Sequence, residues 1–381
     1  MRKYHKKVTK VYKVSCFNIR DKNLKYIIRG DAFMMNSTEI AKIAGVSRST
    51  VSRVINNYSN VSEETREKVL RVIKEHEYVP QASARMLAGS QNKVIGLFII
   101  DLIHEEAGLK NRITKSPYYL EFTSSVIETA SEMDYLVLVH IIHSVAGYEK
   151  IKESFYNKTI SGGIFIGQND DDESIKTIID RGYKVVLLDQ SIRPEDATYN
   201  QCTIVNADNY NGAYCATKYL IDKKHKQIAH ITGGTGKFSS KDRIRGYKKA
   251  LEDAGIEVNK NLIVNSEFVE NAGYEAAKKL LNGNSEFSAI FASNDKIAFG
   301  AIKAIQERGL KVPDDISVIG FDDIESSKYF NPPLTSMKMK LREMADIATK
   351  SIVASIEGET KPSINVVPVS LVERESCGIL Q

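Results

Sequence analysis

The sequence contains little cysteine and no long apolar run. Its four cysteines, Cys16, Cys202, Cys215 and Cys377, are far apart in the 381-residue chain and form no C-x-x-C pair. This spacing argues against a zinc site or a disulfide framework, and it favours a reducing compartment such as the cytoplasm. No apolar run approaches the roughly 20 residues of a membrane helix, and the basic N-terminus is not followed by the apolar core of a signal peptide. We therefore expect neither membrane insertion nor secretion.

Several motifs of enzymes are also missing. The glycine-rich segment 233–238 lacks the spacing of a phosphate-binding loop, and no G-x-G-x-x-G follows the first apolar run, which ends before Asp101. No serine has the context of a nucleophile elbow, and the histidines have no metal-ligand spacing. The sequence therefore predicts no catalytic residue, no metal site and no cofactor. The glycine-rich segment is interpreted as a loop at a ligand cleft.

The net charge of +5 is unevenly distributed along the chain. Residues 1–36 contain ten Lys and Arg against two Asp and Glu, residues 37–93 contain nine against six, and the remainder contains 34 against 40. A basic end on an acidic body suggests a small polyanion-binding module attached to a larger domain with another task.

The first 36 residues show no sustained helical or strand period. They are interpreted as a disordered extension or as the product of a misassigned start, with Met34 or Met35 as the true first residue. An arm that reaches DNA phosphates is the alternative.

Beyond Lys93, short apolar runs alternate with amphipathic segments. The runs are rich in Val, Ile, Leu and Phe, as is typical of strands buried on both faces, and they are 94–100, 135–141, 163–166, 184–188, 228–232, 289–292 and 317–321. The amphipathic segments include 119–133, 173–181, 210–223, 243–254, 271–282 and 296–308. This alternation over nearly 290 residues predicts an α/β class with parallel sheets in two doubly wound units. Such units bind ligands beyond the carboxyl ends of their strands.

The segment 44–56, AGVSRSTVSRVIN, has the pattern of a helix with one polar face that lacks acids. If Ser47 begins the helix, Val51, Val54 and Ile55 share one face. The preceding helix offers an inner face of Ile40, Ala41, Ile43 and Ala44, and Gly45-Val46 supplies a tight turn. This is the layout of a helix-turn-helix, whose second helix enters the DNA major groove. A solvated amphipathic helix is the alternative.

The outer face of this helix contains the candidate DNA contacts. Arg48, Ser49 and Arg53 are predicted to reach base edges, since arginine suits the two acceptors of guanine. The predicted phosphate contacts, which orient a module without reading sequence, are Ser47, Thr50, Ser52 and Asn56.

Several segments of the chain resemble those of a known family. STEIAKIAGVSRSTVSRVINN, VSEETREKVLRVIKEHEYVP and ARMLAG look like the headpiece and hinge of the LacI/GalR transcription regulators. The later segments DRIRGYKKALEDAGI, AIFASND, GFDD and LVERES are similar to that family's effector domain. The resemblance covers about residues 37–377. It implies a helix-turn-helix headpiece at 37–80, a hinge helix and linker at 81–92, and an effector-binding and dimerisation core at 93–381. This core would have two lobes joined by crossovers, as in periplasmic sugar-binding proteins.

The resemblance also implies particular site residues. Leu87, with Ala84 beside it, matches the hinge leucine that wedges into the minor groove, although Gln81 replaces the asparagine frequent in the family. The effector-binding positions that match the family are Arg243, Asn294, Asp295 and Asp322, with Asp189 as a weaker match and Phe268 as an aromatic wall. Tyr118 and Tyr119 are further candidates for the cleft. Core packing is the alternative for Leu87 and the tyrosines, and a helix cap or surface charge is the alternative for each acid.

These inferences predict a sequence-specific DNA-binding regulator, a repressor controlled by a small ligand, most simply a sugar. The resemblance implies a symmetric homodimer on palindromic operator DNA. Because no long heptad tail follows LVERES, we expect a dimer and not a tail-linked tetramer. The connector at 101–117 is longer than the family's short form, so the effector cannot be transferred from any member. A sugar receptor without a DNA role and a nucleotide-dependent enzyme remain the alternatives.

Overall fold

The computed structural model describes residues 35–55, 58–76, 78, 92–102, 116–170, 172–191, 197, 201–234, 236–359 and 361–380. The chain divides into two compact units, Met1–Ser90 and Gln91–Gln381. Several predicted features lie outside the described residues. They are most of the N-terminal extension, the DNA contact Asn56, the hinge with Ala84 and Leu87, and most of the connector 101–117.

The first unit contains three described helices, α1 (Ser37–Ile43), α2 (Arg48–Ile55) and α3 (Glu63–Glu75). Asn36 caps α1. Its side chain accepts the N–H groups of Thr38 and Glu39, and the Glu39 carboxylate accepts the Asn36 N–H at 2.7 Å. This reciprocal pair is a capping box. Asn36 therefore forms the start of α1, directly before Ser37.

The start of α2 at Ser47 agrees with the sequence prediction, and Ser62 caps α3. Ser47 Oγ accepts the N–H of Thr50 at 3.1 Å, and the Ser62 side chain caps α3 through the N–H of Thr65. Gly45 has φ +62°, a left-handed conformation that glycine adopts without steric cost, and it makes the tight turn between α1 and α2.

The apolar faces of the three helices form one small core. Its buried members are Ile40, Ala41, Ala44, Val51, Val54, Val69, Val72 and Tyr78. The prediction that Ile43 belongs to this face is wrong, because its side chain is 48% exposed. The buried stripe of α1 runs through Ile40, Ala41 and Ala44. Ile43 lies to one side of this stripe on the last turn of the helix.

The second unit is an α/β domain. Its described strands are β1 (Val94–Ile100), β2 (Leu136–Ile142), β3 (Gly162–Ile166), β4 (Val185–Leu188), β5 (Thr203–Ala207), β6 (Ile228–Ile231), β7 (Ile263–Val264), β8 (Ala289–Ala292), β9 (Ser317–Asp322), β10 (Thr335–Lys338), β11 (Ile364–Val367) and β12 (Ser370–Val372). Its described α-helices are α4 (Pro117–Glu132), α5 (Tyr148–Tyr156), α6 (Glu173–Asp180), α7 (Asn209–Asp222), α8 (Phe238–Asp253), α9 (Glu270–Leu281), α10 (Asp295–Glu307) and α11 (Leu341–Glu357).

These strands form two six-stranded sheets, one in each lobe. The first has the order β11-β5-β4-β3-β1-β2 and is parallel throughout. The second has the order β12-β10-β9-β8-β6-β7 and is parallel except for the β10–β12 pair. The predicted α/β class with two doubly wound units is confirmed.

The chain passes between the two lobes three times. It leaves the first sheet after β5, returns from β10 through α11 to β11, and crosses again from β11 to β12. The largest apolar cluster includes Leu188 and Val205 of the first sheet together with Phe291 and Phe321 of the second. The lobes therefore share a core. Across the described ranges, the structure contains no helix that combines the length and apolar character needed to cross a membrane.

His230 of β6 is a titratable group within the second lobe. Its ring is fully buried and stacks on Tyr247 and Phe291, with centroid separations of 5.0 and 4.6 Å. Its Nδ1 donates to the Phe291 carbonyl at 2.9 Å, while Nε2 has no hydrogen-bond partner among the described residues. Burial lowers the pKa of His230 to about 4, because the cationic form has no water around it.

His230→Phe is expected to remove part of the acid sensitivity of the fold. An imidazole that is neutral when buried stabilises the fold fully above its unfolded pKa of 6.5, and this contribution is lost as the pH falls toward 4. The loss in free energy of unfolding from this group is about 3 kcal/mol in wild type and absent in the variant. Urea unfolding at about pH 7 and about pH 4.5 measures the difference. Replacement of the exposed His143 by Asn is the control, and an unchanged pH dependence in His230→Phe would contradict the assignment.

Candidate functional site

A cleft that is open to solvent lies between the two sheets of the second unit. The first lobe lines it with residues that follow its strands. Asp101 follows β1, Gly167 and Gln168 follow β3, and Asp189 follows β4. The cleft therefore lies at the carboxyl ends of parallel strands, where ligands bind in folds of this kind.

The second lobe lines the opposite wall in the same way. Asn294 follows β8, Asp322 ends β9, and Lys237 lies in the glycine-rich segment that follows β6. Arg243 reaches the cleft from α8, and Phe268 contributes an aromatic ring. The mixture of aromatic and polar groups is typical of a small-molecule site.

Arg243 is held by groups around its whole guanidinium. The residue is 3% exposed, its Nε donates to Asn209 Oδ1 at 2.9 Å, and its Nη1 donates to the Ser293 carbonyl. Nη1 also lies 3.9 Å from Asp322 Oδ1, and the guanidinium carbon lies 3.7 Å from the centre of the Phe321 ring. These contacts fix a buried cation against a carboxylate that also faces the cleft.

Asp189 is joined to the same network from the other lobe. Its two oxygens accept from the Tyr118 hydroxyl at 3.0 Å and from Asn209 Nδ2 at 3.3 Å. The Asn209 amide therefore bridges the Asp189 carboxylate and the Arg243 guanidinium. Burial raises the pKa values of Asp189 and Asp322, an effect that the nearby Arg243 guanidinium opposes.

The backbone is strained at both carboxylates. Asp189 has φ +50° and Asp322 has φ +109°, and both lie where a strand ends at the cleft. Residues with side chains rarely adopt these conformations, which persist where the surrounding structure imposes them and cluster at functional sites. The turns point both carboxylates toward one cavity.

The structure places Asp295 differently from the sequence prediction. It was expected to contact a ligand, but it does not line the cleft and is fully buried. Its oxygens accept from the Ile324 N–H at 2.8 Å, the Ser327 hydroxyl at 2.6 Å and the Ser336 hydroxyl at 2.5 Å. Asp295 is the first residue of α10, and its carboxylate joins that helix to β10 and the segment after β9. Burial raises its pKa to about 6.

The structure brings the other predicted effector residues together. The cleft is lined by Arg243, Asn294, Asp322, Asp189, Phe268, Tyr118 and Tyr119. Contact of these residues with a ligand stays a prediction. The side chain of Asn294 also caps α10, since its Oδ1 accepts the Ile297 N–H at 2.8 Å. That bond directs the amide nitrogen, a donor, away from the helix.

Several lining residues were missed by sequence reasoning. They are Asp101, Ser116, Gly167, Gln168, Lys237, Ser239, Glu267 and Val269. Asp101 and Gln168 come one and two residues after predicted apolar runs, so the rule that ligands bind beyond strand ends could have identified them. Lys237 belongs to the segment that was interpreted as a cleft loop, and its ammonium donates across the cleft to the Gly167 carbonyl.

In the first unit, α2 presents the predicted base-contacting side chains to solvent. Arg48, Ser49 and Arg53 are exposed, and Arg48 Nε donates to Ser37 Oγ on α1 at 3.0 Å. Among the predicted phosphate contacts, Thr50 and Ser52 lie on α2 and Ser47 immediately precedes it, and all three are at least partly exposed. Ser47 Oγ is 2.7 Å from Ser49 Oγ and 2.8 Å from Thr50 Oγ1, so the first turn of α2 is a cluster of hydroxyls.

Comparisons with known proteins agree with both units. The family pattern described as bacterial regulatory proteins, lacI family, matches residues 38–81, and that of the periplasmic binding protein-like domain matches residues 217–377. The transcriptional regulator MalR of Clostridium butyricum is 33% identical over 352 residues, which cover 90% of this chain and 99% of MalR. The repressor PurR of Histophilus somni strain 129Pt is 35% identical over 309 residues, covering 80% of this chain and 87% of PurR.

Solved structures show the same architecture. The lac repressor dimer bound to operator and the anti-inducer ONPF has a TM-score of 0.74 at 28% identity, covering 90% of this chain and 98% of that chain. The complex of the regulator CelR with cellobiose has a TM-score of 0.69 at 28% identity, covering 90% and 99%.

A helix-turn-helix unit followed by a two-lobed periplasmic-binding-like domain defines the class of ligand-responsive DNA-binding regulators. This chain belongs to the lacI family of bacterial regulatory proteins, and it is a transcriptional regulator. The resemblance predicted from the headpiece and core segments is confirmed.

Asp295→Ala is expected to destabilise the second unit strongly. The variant leaves the Ile324 N–H and the hydroxyls of Ser327 and Ser336 buried without their acceptor, a loss of about 3 kcal/mol or more in free energy of unfolding. Urea unfolding followed by circular dichroism measures it. Asp253→Ala, which removes an exposed partner of Lys249, is the control and should change stability little. Equal effects of the two substitutions would contradict the structural role of Asp295.

Proposed function

We propose that this regulator binds a palindromic operator as a homodimer, represses transcription in the cytoplasm, and responds to a sugar bound in the cleft between the lobes. The observation that carries the proposal is the pair of carboxylates, Asp189 and Asp322, held around one buried arginine at the ends of strands from both lobes. A second observation is the acid-free outer face of α2 in the first unit.

The ligand half of the proposal rests on the chemistry of the cleft walls. Carboxylates and an arginine can pair with adjacent hydroxyls of a sugar through charge-assisted hydrogen bonds. Phe268, whose ring packs against Gly233, offers an apolar surface to the face of a pyranose or furanose. Two solved relatives support a carbohydrate, since CelR is described in complex with cellobiose and the lac repressor bound to ONPG.

The DNA half rests on the placement of α2 side chains. Arg48, Ser49 and Arg53 read base edges, while Ser47, Thr50, Ser52 and Asn56 hold phosphates. We assign residues 37–80 to the headpiece, 81–92 to a hinge that includes Ala84 and the intercalating Leu87, and 93–381 to the core. A receptor without a DNA role and a nucleotide-dependent enzyme would leave the exposed arginines of α2 without a function.

The homodimer is supported by exposed apolar side chains on the first lobe. Strand β2 is at the edge of its sheet and exposes Leu136, Val139 and Ile141, and helix α4 exposes Leu120 and Ile127. Leu136 is 71% exposed. Monomeric proteins rarely leave an apolar edge of this kind to solvent, because it pairs with other chains. In a dimer, closure of the lobes on a ligand would respace the two hinges and so alter operator affinity.

Selection of binding sites from random DNA tests the DNA half. We expect a palindrome with two half-sites about 10 base pairs or a multiple apart, as a symmetric dimer requires. Arg48→Ala should relax the preference at one base pair in each half-site, which corresponds to about 1–3 kcal/mol of discrimination. Lys42→Ala on α1, outside the predicted contacts, is the control. Selection that yields no palindrome would defeat this half of the proposal.

Arg243→Ala should abolish the ligand response and leave operator affinity unchanged. Removal of the buried cation takes away one partner of Asp322 and of the Asn209 bridge, and we expect ligand affinity to fall at least about 30-fold. Calorimetry with cellobiose, maltose, D-galactose and D-ribose measures binding, and a fluorescence assay with the selected operator measures the DNA response. Arg245→Ala, exposed on the same helix, is the control. Normal ligand binding by Arg243→Ala would contradict the site.

A further inference from the structure

Gln168 has a fixed place in the wall of the cleft. Strand β3 ends at Ile166, and Gly167 follows with φ +83°. A Cβ atom at Gly167 would lie 2.5 Å from the Ile100 carbonyl oxygen and 2.6 Å from the Tyr119 hydroxyl, so only glycine fits there. The turn at Gly167 brings the next side chain, Gln168, into the cleft lining, where the residue is 3% exposed.

The orientation of the Gln168 amide follows from the hydrogen bond that it makes with a described residue, Leu188. Its Nε2 donates to the Leu188 carbonyl at 2.6 Å. A carbonyl oxygen can only accept, so the amide atom that faces Leu188 must be the nitrogen. The other amide atom, Oε1, is buried and has no hydrogen-bond partner among the described residues.

A neighbouring amide shows what a purely structural role looks like. Asn206, 2% exposed in β5 of the same lobe and absent from the cleft wall, uses both amide atoms on the backbone of Gln190. Its Oδ1 accepts the Gln190 N–H at 3.0 Å, and its Nδ2 donates to the Gln190 carbonyl at 2.8 Å. Buried acceptors are normally satisfied in this way. Gln168 differs because, within the part of the chain that the structure describes, only its amide nitrogen has a hydrogen-bond partner, and because the residue lines the cleft.

We infer that Gln168 Oε1 accepts a hydrogen bond from a hydroxyl of the bound effector, and that Gln168 is a specificity-determining residue of this regulator. The inference rests on the proposed function, since it assigns a further contact to the same cleft. The effector group that meets Gln168 must be a donor. A phosphate or carboxylate oxygen at that position would face a lone pair, so the contact selects against an effector that places an acidic group there.

The position of Gln168 also suggests which hydroxyls are read. Gln168 follows β3 and Asp189 follows β4, and these strands are paired side by side. The Gln168 amide is anchored to the carbonyl of Leu188, the residue that immediately precedes Asp189. An amide acceptor and a carboxylate acceptor therefore follow adjacent strands, an arrangement suited to two neighbouring hydroxyls of one sugar ring.

A cycle that combines a protein variant with altered ligands tests this contact. Calorimetry would compare the full-length wild-type protein with Gln168→Met, using the panel sugar that wild type binds and its series of monodeoxy derivatives. We expect wild type to bind one monodeoxy derivative about tenfold more weakly than the parent sugar. Gln168→Met should bind that derivative and the parent within about twofold of each other, since coupling between two groups disappears when either is removed. If Gln168 only supported the fold, its replacement would not change which monodeoxy derivative binds more weakly than the parent sugar.

Two further variants separate the contact from a folding defect. Gln168→Glu keeps an acceptor at the same place and should retain the discrimination, even if loss of the donor to Leu188 lowers stability. Gln201→Met, an exposed glutamine of the same lobe, should behave as wild type. The inference is overturned if Gln168→Met discriminates among the derivatives as wild type does. Binding of none of the parent sugars by wild type would instead defeat the proposed sugar response, and the inference would fall with it.

Discussion

The buried guanidinium of Arg243 is the interaction on which the ligand-binding unit depends. A charge removed from water requires partners, and Arg243 finds them in Asn209, in the Ser293 carbonyl and in Asp322. Through Asn209 the same network reaches Asp189 and Tyr118 of the first lobe. These five side chains thus form one connected set that spans both lobes, and a ligand that exchanges with one of them alters how the two lobes are held together.

The path of the chain holds together the two lobes that this network connects. Three passages between the lobes and a shared apolar cluster keep the two sheets joined, while their carboxyl ends remain apart around the cleft. Ion pairing of Lys241 with Asp170 at 2.9 Å and the contact of Lys237 with Gly167 add links between the lobes beside the cavity. These links restrict the motion of one lobe relative to the other. A ligand that contacts both walls therefore favours a shift between discrete arrangements of the two lobes.

Much of the fold follows from periodicity, and the omissions have physical causes. The apolar runs at 94–100 and 289–292 match strands exactly because they are buried on both faces. Strands β5 and β10 escaped prediction because Thr203, Asn206, Thr335 and Ser336 interrupt or replace their apolar pattern. Those polar side chains are tolerated in the interior because hydrogen bonds satisfy them, such as the Asn206 pair with Gln190 and the Ser336 bond to Asp295. Hydropathy does not reveal such pairings.

By itself, the sequence determined the helix-turn-helix unit, the two mainly parallel sheets and seven of the fifteen residues that line the cleft, because helix caps, periodicity and motif order are local properties of the chain. Only the tertiary structure decided which of the adjacent residues Asn294 and Asp295 lines the cleft and which one stabilises the second lobe. Asn294 faces the cleft, whereas Asp295 turns into the second lobe and binds Ser327 and Ser336. Only the fold, likewise, revealed the unpaired acceptor of Gln168 among the described residues, because its surroundings come from segments distant in sequence. Its anchor Leu188 is 20 residues away, and the Tyr118–Asp189 contact beside it spans 71 residues.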